Sequence, residues 1–187
     1  MNILLNVLEK EQKKNGKLPP NLYVQMDKCG RENKNKFVLA FLAILVHFDI
    51  FKKIRVGFLI VGHTHEDIDQ LFSRISKRLA KNDALTIEAL AANIKESYNP
   101  VPLVVQILHM FEIRKWVEPV MNNLSGHSEP HQFKLEKNEN GKVQLYYKKP
   151  SSTKEWKEAE SFLRTDAKDQ LVVSDTLKPG TPPPPWT

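Results

Sequence analysis

Leu22-Tyr23-Val24-Gln25-Met26-Asp27, then Phe37 to Val46, then Ile54-Arg55-Val56-Gly57-Phe58-Leu59-Ile60-Val61: these three stretches decide the fold. The first is a short run of strand formers that delivers Asp27 at its C-terminal edge. The second is apolar on nearly every side, so a helix there is buried all round. The third is another apolar strand, interrupted only by Arg55 and Gly57 and stopped by Gly62. Strand, helix, strand, and then a further helix from Thr64 predict an α/β protein with a parallel sheet and crossover helices.

Outward from this centre, Asn2 to Lys14 spaces Ile3, Leu4, Val7 and Leu8 at helical intervals, and Asn15-Gly16 with Pro19-Pro20 ends that helix. Downstream, Thr64-x-x-Asp67 forms a capping box, and Ile68, Leu71, Phe72, Ile75 and Leu79 fall on one face, which predicts a helix with one buried side. Thr86 to Tyr98 is a further helix closed by Asn99-Pro100. Phe133-Lys134-Leu135 and Val143 to Tyr147 flank Asn140-Gly141, which predicts a hairpin with a two-residue type I′ turn. The chain ends in Pro179 to Pro185, an extended polyproline segment. The expected organisation is a core over 1–123, a hairpin appendage over 124–150, and a poorly ordered polar and proline-rich tail over 151–187.

Composition narrows the function classes. With 187 residues and 41% apolar side chains, there is length for one ordinary domain with a real core. A single cysteine excludes an internal disulfide and fits an intracellular, reducing compartment. The longest apolar run, Phe37 to Ile50, falls short of the roughly 20 residues that span a bilayer. Lys and Arg outnumber Asp and Glu by 28 to 22, and residues 1–123 carry 18 basic and 13 acidic groups. This balance suits a phosphate-bearing partner, and it equally suits basic clusters such as Lys52-Lys53-Ile54-Arg55 standing as solvated faces.

Two loops follow the two strands, where open parallel sheets place their sites. One is Asp27 to Asn35; the other runs from Gly62 through His63 and Asp69 to Phe72. If the strands are neighbours, the carboxylates of Asp27 and of the second loop converge, and oxygen ligands of that kind hold Mg²⁺ or Mn²⁺. Asp27 also has a structural use, capping the helix near Asn35 or binding turn amides, and Asn33 and Asn35 are turn formers. Asp69 lies at the border of the apolar stripe, on the side of His65. His63 suits either a buried hydrogen-bonded role or the orientation of carboxylates. Lys28, Arg31, Asn33, Lys34, Asn35 and Arg74 are the expected nucleic-acid contacts.

His63-x-His65-x-Asp67 is similar to the start of the zinc-binding His-x-His-x-Asp-His signature of metallo-beta-lactamase-like hydrolases. Ile68 occupies the position of the last histidine; His127 and His131 could complete a set, but Gly126-His127-Ser128 and Pro130-His131 better suit a loop.

Taken together, Asp27-x-Cys29-x-x-Glu32-Asn33-Lys34-Asn35 and Gly62-His63-Thr64-x-x-x-x-Asp69-x-x-Phe72 resemble a group of transposon-derived animal proteins that look like DDE-type transposases with a ribonuclease H-like core. Related sequences show Asp-Asn-Cys, Gln or Glu, Asn-Lys-Asn, then Gly-His-Ser or Gly-His-Thr with an aspartate at the same spacing. Lys28 stands where Asn is usual. Gly126-His127-Ser128 with Pro130-His131-Gln132-Phe133 belongs to the same resemblance. It implies a partial ribonuclease H-like core for metal-dependent cleavage or strand transfer on DNA, with Asp27 as the second acid, Asp69 as the third, and His63 and Asn33 in support. The first acid belongs on an earlier strand, yet only Glu9 and Glu11 precede Asp27, both in a predicted helix. The expectation is therefore a fragment or shortened product that cleaves nothing efficiently. The alternative is a domesticated module that binds nucleic acid or protein without catalysis.

Overall fold

A computed structural model describes residues 1–26, 33–58, 67–107, 109–122, 124, 126–148, 155–159, 162–166 and 171–173. These residues form a mixed α/β protein with five α-helices and one mixed five-stranded sheet. The chain divides into two compact units, one made of 1–60 and 108–187, the other of 61–107. Among the described residues no helix is long and apolar enough to cross a membrane.

The larger unit begins with α1 (Asn2–Asn15), which ends where Gly16 takes the left-handed conformation at φ 74°. Leu8 is its buried anchor, and Leu4 and Leu5 pack beside it. β1 (Asn21–Met26), α2 (Lys36–His47) and β2 (Lys53–Phe58) follow the three deciding stretches closely. Every residue of α2 from Val38 to Val46 is buried, as its uniformly apolar sequence requires. Its N-terminus is capped by Asn35, whose side-chain oxygen accepts a 3.0 Å hydrogen bond from the Val38 amide. The cap considered for Asp27 is thus supplied within the same loop by Asn35.

β1 and β2 pair in parallel, from Asn21 opposite Lys53 to Met26 opposite Phe58. The second edge of β2 receives β3 (Gln132–Lys137) in antiparallel register, with Ile54 opposite Leu135. β4 (Val143–Lys148) and the short β5 (Lys157–Glu158) complete the order β1-β2-β3-β4-β5. The hairpin is therefore part of the main sheet: Phe133, Leu135 and Leu145 are fully buried, and the Phe133 ring meets Phe58 edge-on at 5.9 Å. Its turn also differs from the two-residue expectation. The Asn138 amide donates to the Lys142 carbonyl and the Gly141 amide to Asn138, and Gly141, at φ 75°, is the turn's left-handed residue. This is the three-residue loop of a type I turn plus a left-handed glycine. The Asn138 side chain stabilises it by accepting from the Asn140 and Lys142 amides.

α2 covers one face of this sheet, and α5 (Ile113–Val117), continued by a 3₁₀ turn at Glu118–Val120, packs against α2. Part of the expected tail is built into this core. Phe162 is 2% exposed, its carbonyl accepts from the Asn122 amide, and the Arg164 amide donates to Val120. Residues 174–187, with the polyproline run, lie outside the described set.

The smaller unit contains α3 (Asp67–Leu79) and α4 (Ile87–Lys95). Thr86 caps α4 by accepting from the Ala89 amide, and Arg78 ties the two helices by bonding Asn93 and Glu96. The apolar stripe of α3 is present, but its expected burial is not: Phe72 is 60% exposed. Two short helices offer each other too little apolar surface to cover it.

Candidate active-site edge

The parallel pairing of β1 and β2 fixes one feature of the predicted site. Met26 and Phe58 are register partners at the same C-terminal edge, so the segments that carry the two motifs leave neighbouring strands on that edge. Among the proposed site residues, Asp27, Lys28, Arg31 and His63 lie outside the described residues. Asn33, Lys34 and Asn35 are placed in the larger unit; Asp69 and Arg74 are placed on α3 in the smaller one. Asp69 is exposed, and the Arg74 guanidinium sits over the Tyr98 ring at 5.1 Å.

Lys34 is the most informative of these residues. It is only 4% exposed, because its ammonium reaches the Ser128 carbonyl and lies 5.5 Å from the centre of the Phe58 ring. One side chain thereby connects the Asn33-Lys34-Asn35 segment, the end of β2 and the Gly126-His127-Ser128 segment. A buried lysine needs such hydrogen bonding to offset its desolvation. This placement gives Lys34 a structural use in place of the surface phosphate contact expected from the sequence. Asn35 is likewise engaged as the α2 cap, and Asn33 is half-buried in the turn before it.

His131 closes the same edge through its backbone, accepting from the Phe58 amide at 2.7 Å and donating to the Lys148 carbonyl. The His127 ring is hydrogen-bonded to the Leu124 carbonyl at 2.9 Å. Among the described residues no three His, Cys, Asp or Glu side chains form a group able to hold a metal ion. Asp27, His63, His65 and Glu66 lie outside the described residues.

A family model for a domain of unknown function, DUF7869, matches residues 1–153. The chain belongs to this family. The DUF7869 match takes in both motif segments, the Lys34 hub and the β3–β4 hairpin; β5 and the buried Phe162 lie beyond it. No curated protein and no solved structure matches the chain significantly.

A second feature of the larger unit escaped the sequence reading. On the sheet face opposite α2, register aligns Tyr23, Arg55, Lys134, Tyr146 and Glu158 in a single row. The signal lay in the alternation of β1 and β2: Tyr23 and Gln25, like Arg55 and Gly57, are every second residue of an otherwise apolar strand.

Proposed function

We propose that this DUF7869 chain is part of a ribonuclease H-like, DDE-type domain whose chemistry is divalent-metal-dependent cleavage or strand transfer at DNA phosphodiesters. The observation that carries this reading is the adjacency of the strands that lead into the two motifs: β1 and β2 are parallel neighbours, and Lys34 bridges the end of β2 to Ser128. Asp27 and Asp69 would hold Mg²⁺ or Mn²⁺, for which carboxylate oxygens are suitable donors. The bound cation supplies charge neutralisation at the phosphodiester and a more acidic water. The protein's own part is to position the carboxylates: the strand pair fixes where the Asp27 segment starts, while Asn35 and Lys34 anchor its other end. On this reading the chain binds the cation through Asp27 and Asp69 and turns over little or no DNA.

Calorimetric Mn²⁺ titration of the full chain tests this. Saturable binding, weakened in Asp27→Ala and in Asp69→Ala, is the expected result; no binding, or binding that both variants leave intact, refutes the metal site. A non-catalytic nucleic-acid module is the second reading, favoured by the cationic and aromatic character of the exposed sheet face.

A further inference from the structure

Sheet faces left without a helix are usually solvated polar surfaces, on which side chains make few specific contacts. This one is organised differently. Trp156 is surrounded by three cations, with Lys148 4.7 Å, Lys134 5.5 Å and Arg55 6.0 Å from its ring centre. Arg55 also lies 5.8 Å from the ring of Tyr23, which stands on the outermost strand and is 67% exposed. Between the two rings is a groove of about 360 Å³, lined by Tyr23, Gln25, Arg55, Gly57, Gln132 and Trp156. Gly57 leaves its floor open, since a Cβ built there meets no atom within 4 Å.

The charges on this face favour an anion. Lys53, Arg55, Lys134 and Lys148 stand against Glu136 and Glu158. Glu136 takes hydrogen bonds from Lys134 and lies 3.1 Å from Lys53, whereas Arg55 is held by two rings. A surface that joins an exposed tyrosine and a half-buried tryptophan to cations across a groove matches the requirements of unpaired bases on a phosphate backbone. Duplex DNA keeps its base faces stacked inside and has no use for the rings. From β1 to β4 the sheet spans about 14 Å at the usual strand spacing, the length of about four stacked bases at 3.4 Å each.

We propose that this face binds single-stranded DNA, with bases stacking on Tyr23 and Trp156 and phosphates meeting Arg55 and Lys148. The choice of DNA rests on the function proposed above; the stacking surface does not. The test is fluorescence polarisation of a labelled twelve-residue oligo-dT with the full chain. Tyr23→Ala and Trp156→Ala each weaken binding by about five-fold or more, the effect of losing one base–ring stack. Gly57→Val, which fills the groove without meeting a neighbour at Cβ, weakens it as well. Arg55→Gln lowers the slope of affinity against salt by about 0.7, one phosphate contact. Circular dichroism confirms that each variant is folded, and Tyr23→Ala leaves Mn²⁺ affinity unchanged, so that a failed metal site and a failed stacking site give different patterns. Binding unaffected by both Tyr23→Ala and Gly57→Val overturns the proposal. So does equal affinity for a twelve-base-pair duplex or a polyglutamate peptide, and oligo-rU bound ten-fold tighter than oligo-dT overturns the assignment to DNA.

Discussion

Glu136 shows how a single residue sets the acid limit of the sheet. Partial burial pushes its carboxyl upward, but hydrogen bonds from Lys134 and Lys53, with their charges, outweigh burial and hold it below the usual glutamate value. A carboxyl depressed in the folded state contributes stability that is complete above the unfolded value, about 4.5, and that disappears as pH falls through the folded one. Glu136→Gln should therefore be less stable than the parent chain at pH 7, and the difference should shrink toward zero near pH 3. Urea midpoints at the two values measure it, and a gap that persists unchanged in acid would rule the explanation out. Tyr146, on the same row, is shifted the other way: burial and the charges of Glu158 and Glu136 raise its phenol above the ordinary value. It remains a neutral ring beside Lys134 at 4.2 Å.

At the level of elements, α2 is the piece on which the larger unit depends, and its start rests on one side chain. Asn35→Ala removes the acceptor for the Val38 amide and should cost about 1 kcal/mol, read as a lower denaturation midpoint with an unchanged slope. Elements of this sort were legible in the sequence. β1, α2 and β2 are marked by uniform apolar runs with clear punctuation, and Thr86 announces α4. What the sequence did not carry was the partnership between elements. Nothing in Phe133-Lys134-Leu135 states that the strand pairs with β2 rather than standing apart, and the loop around Asn140-Gly141 was misjudged by one residue because Asn138 and Lys142 close it from outside. The α3 stripe was legible as a pattern, but whether a face is covered depends on the rest of the fold. For the candidate site, the sequence identified the segments; Lys34 shows that position in a motif does not reveal whether a cation points to solvent or to a carbonyl.

At the scale of the whole molecule, the family match ends at residue 153, yet the packed core does not. Phe162 and Leu163 are buried beside α5 and the 3₁₀ turn, and Leu163 bridges to Met121. A chain cut after residue 153 loses both side chains and also Trp156. At about 1.5 kcal/mol or more for each large apolar group buried, the shortened protein should be less stable than the full chain by about 3 kcal/mol. Parallel urea titrations decide this, with matching curves as the contrary result. The truncated protein should also lose most of its affinity for oligo-dT.

The position of β2 has a consequence for biosynthesis. Its first neighbour, β1, is made before it, but its second begins only at Gln132, with the whole of the 61–107 unit translated in between. At 5–20 residues per second, the ribosome takes about 4 to 15 s to travel from Phe58 to Gln132. Throughout that interval the strand that becomes the most buried of the sheet has one row of amides and carbonyls unmatched. Slower translation of that stretch prolongs its exposure to wrong partners, so the yield of correctly assembled protein is expected to depend on holding chaperones during synthesis more than on the stability of the finished fold.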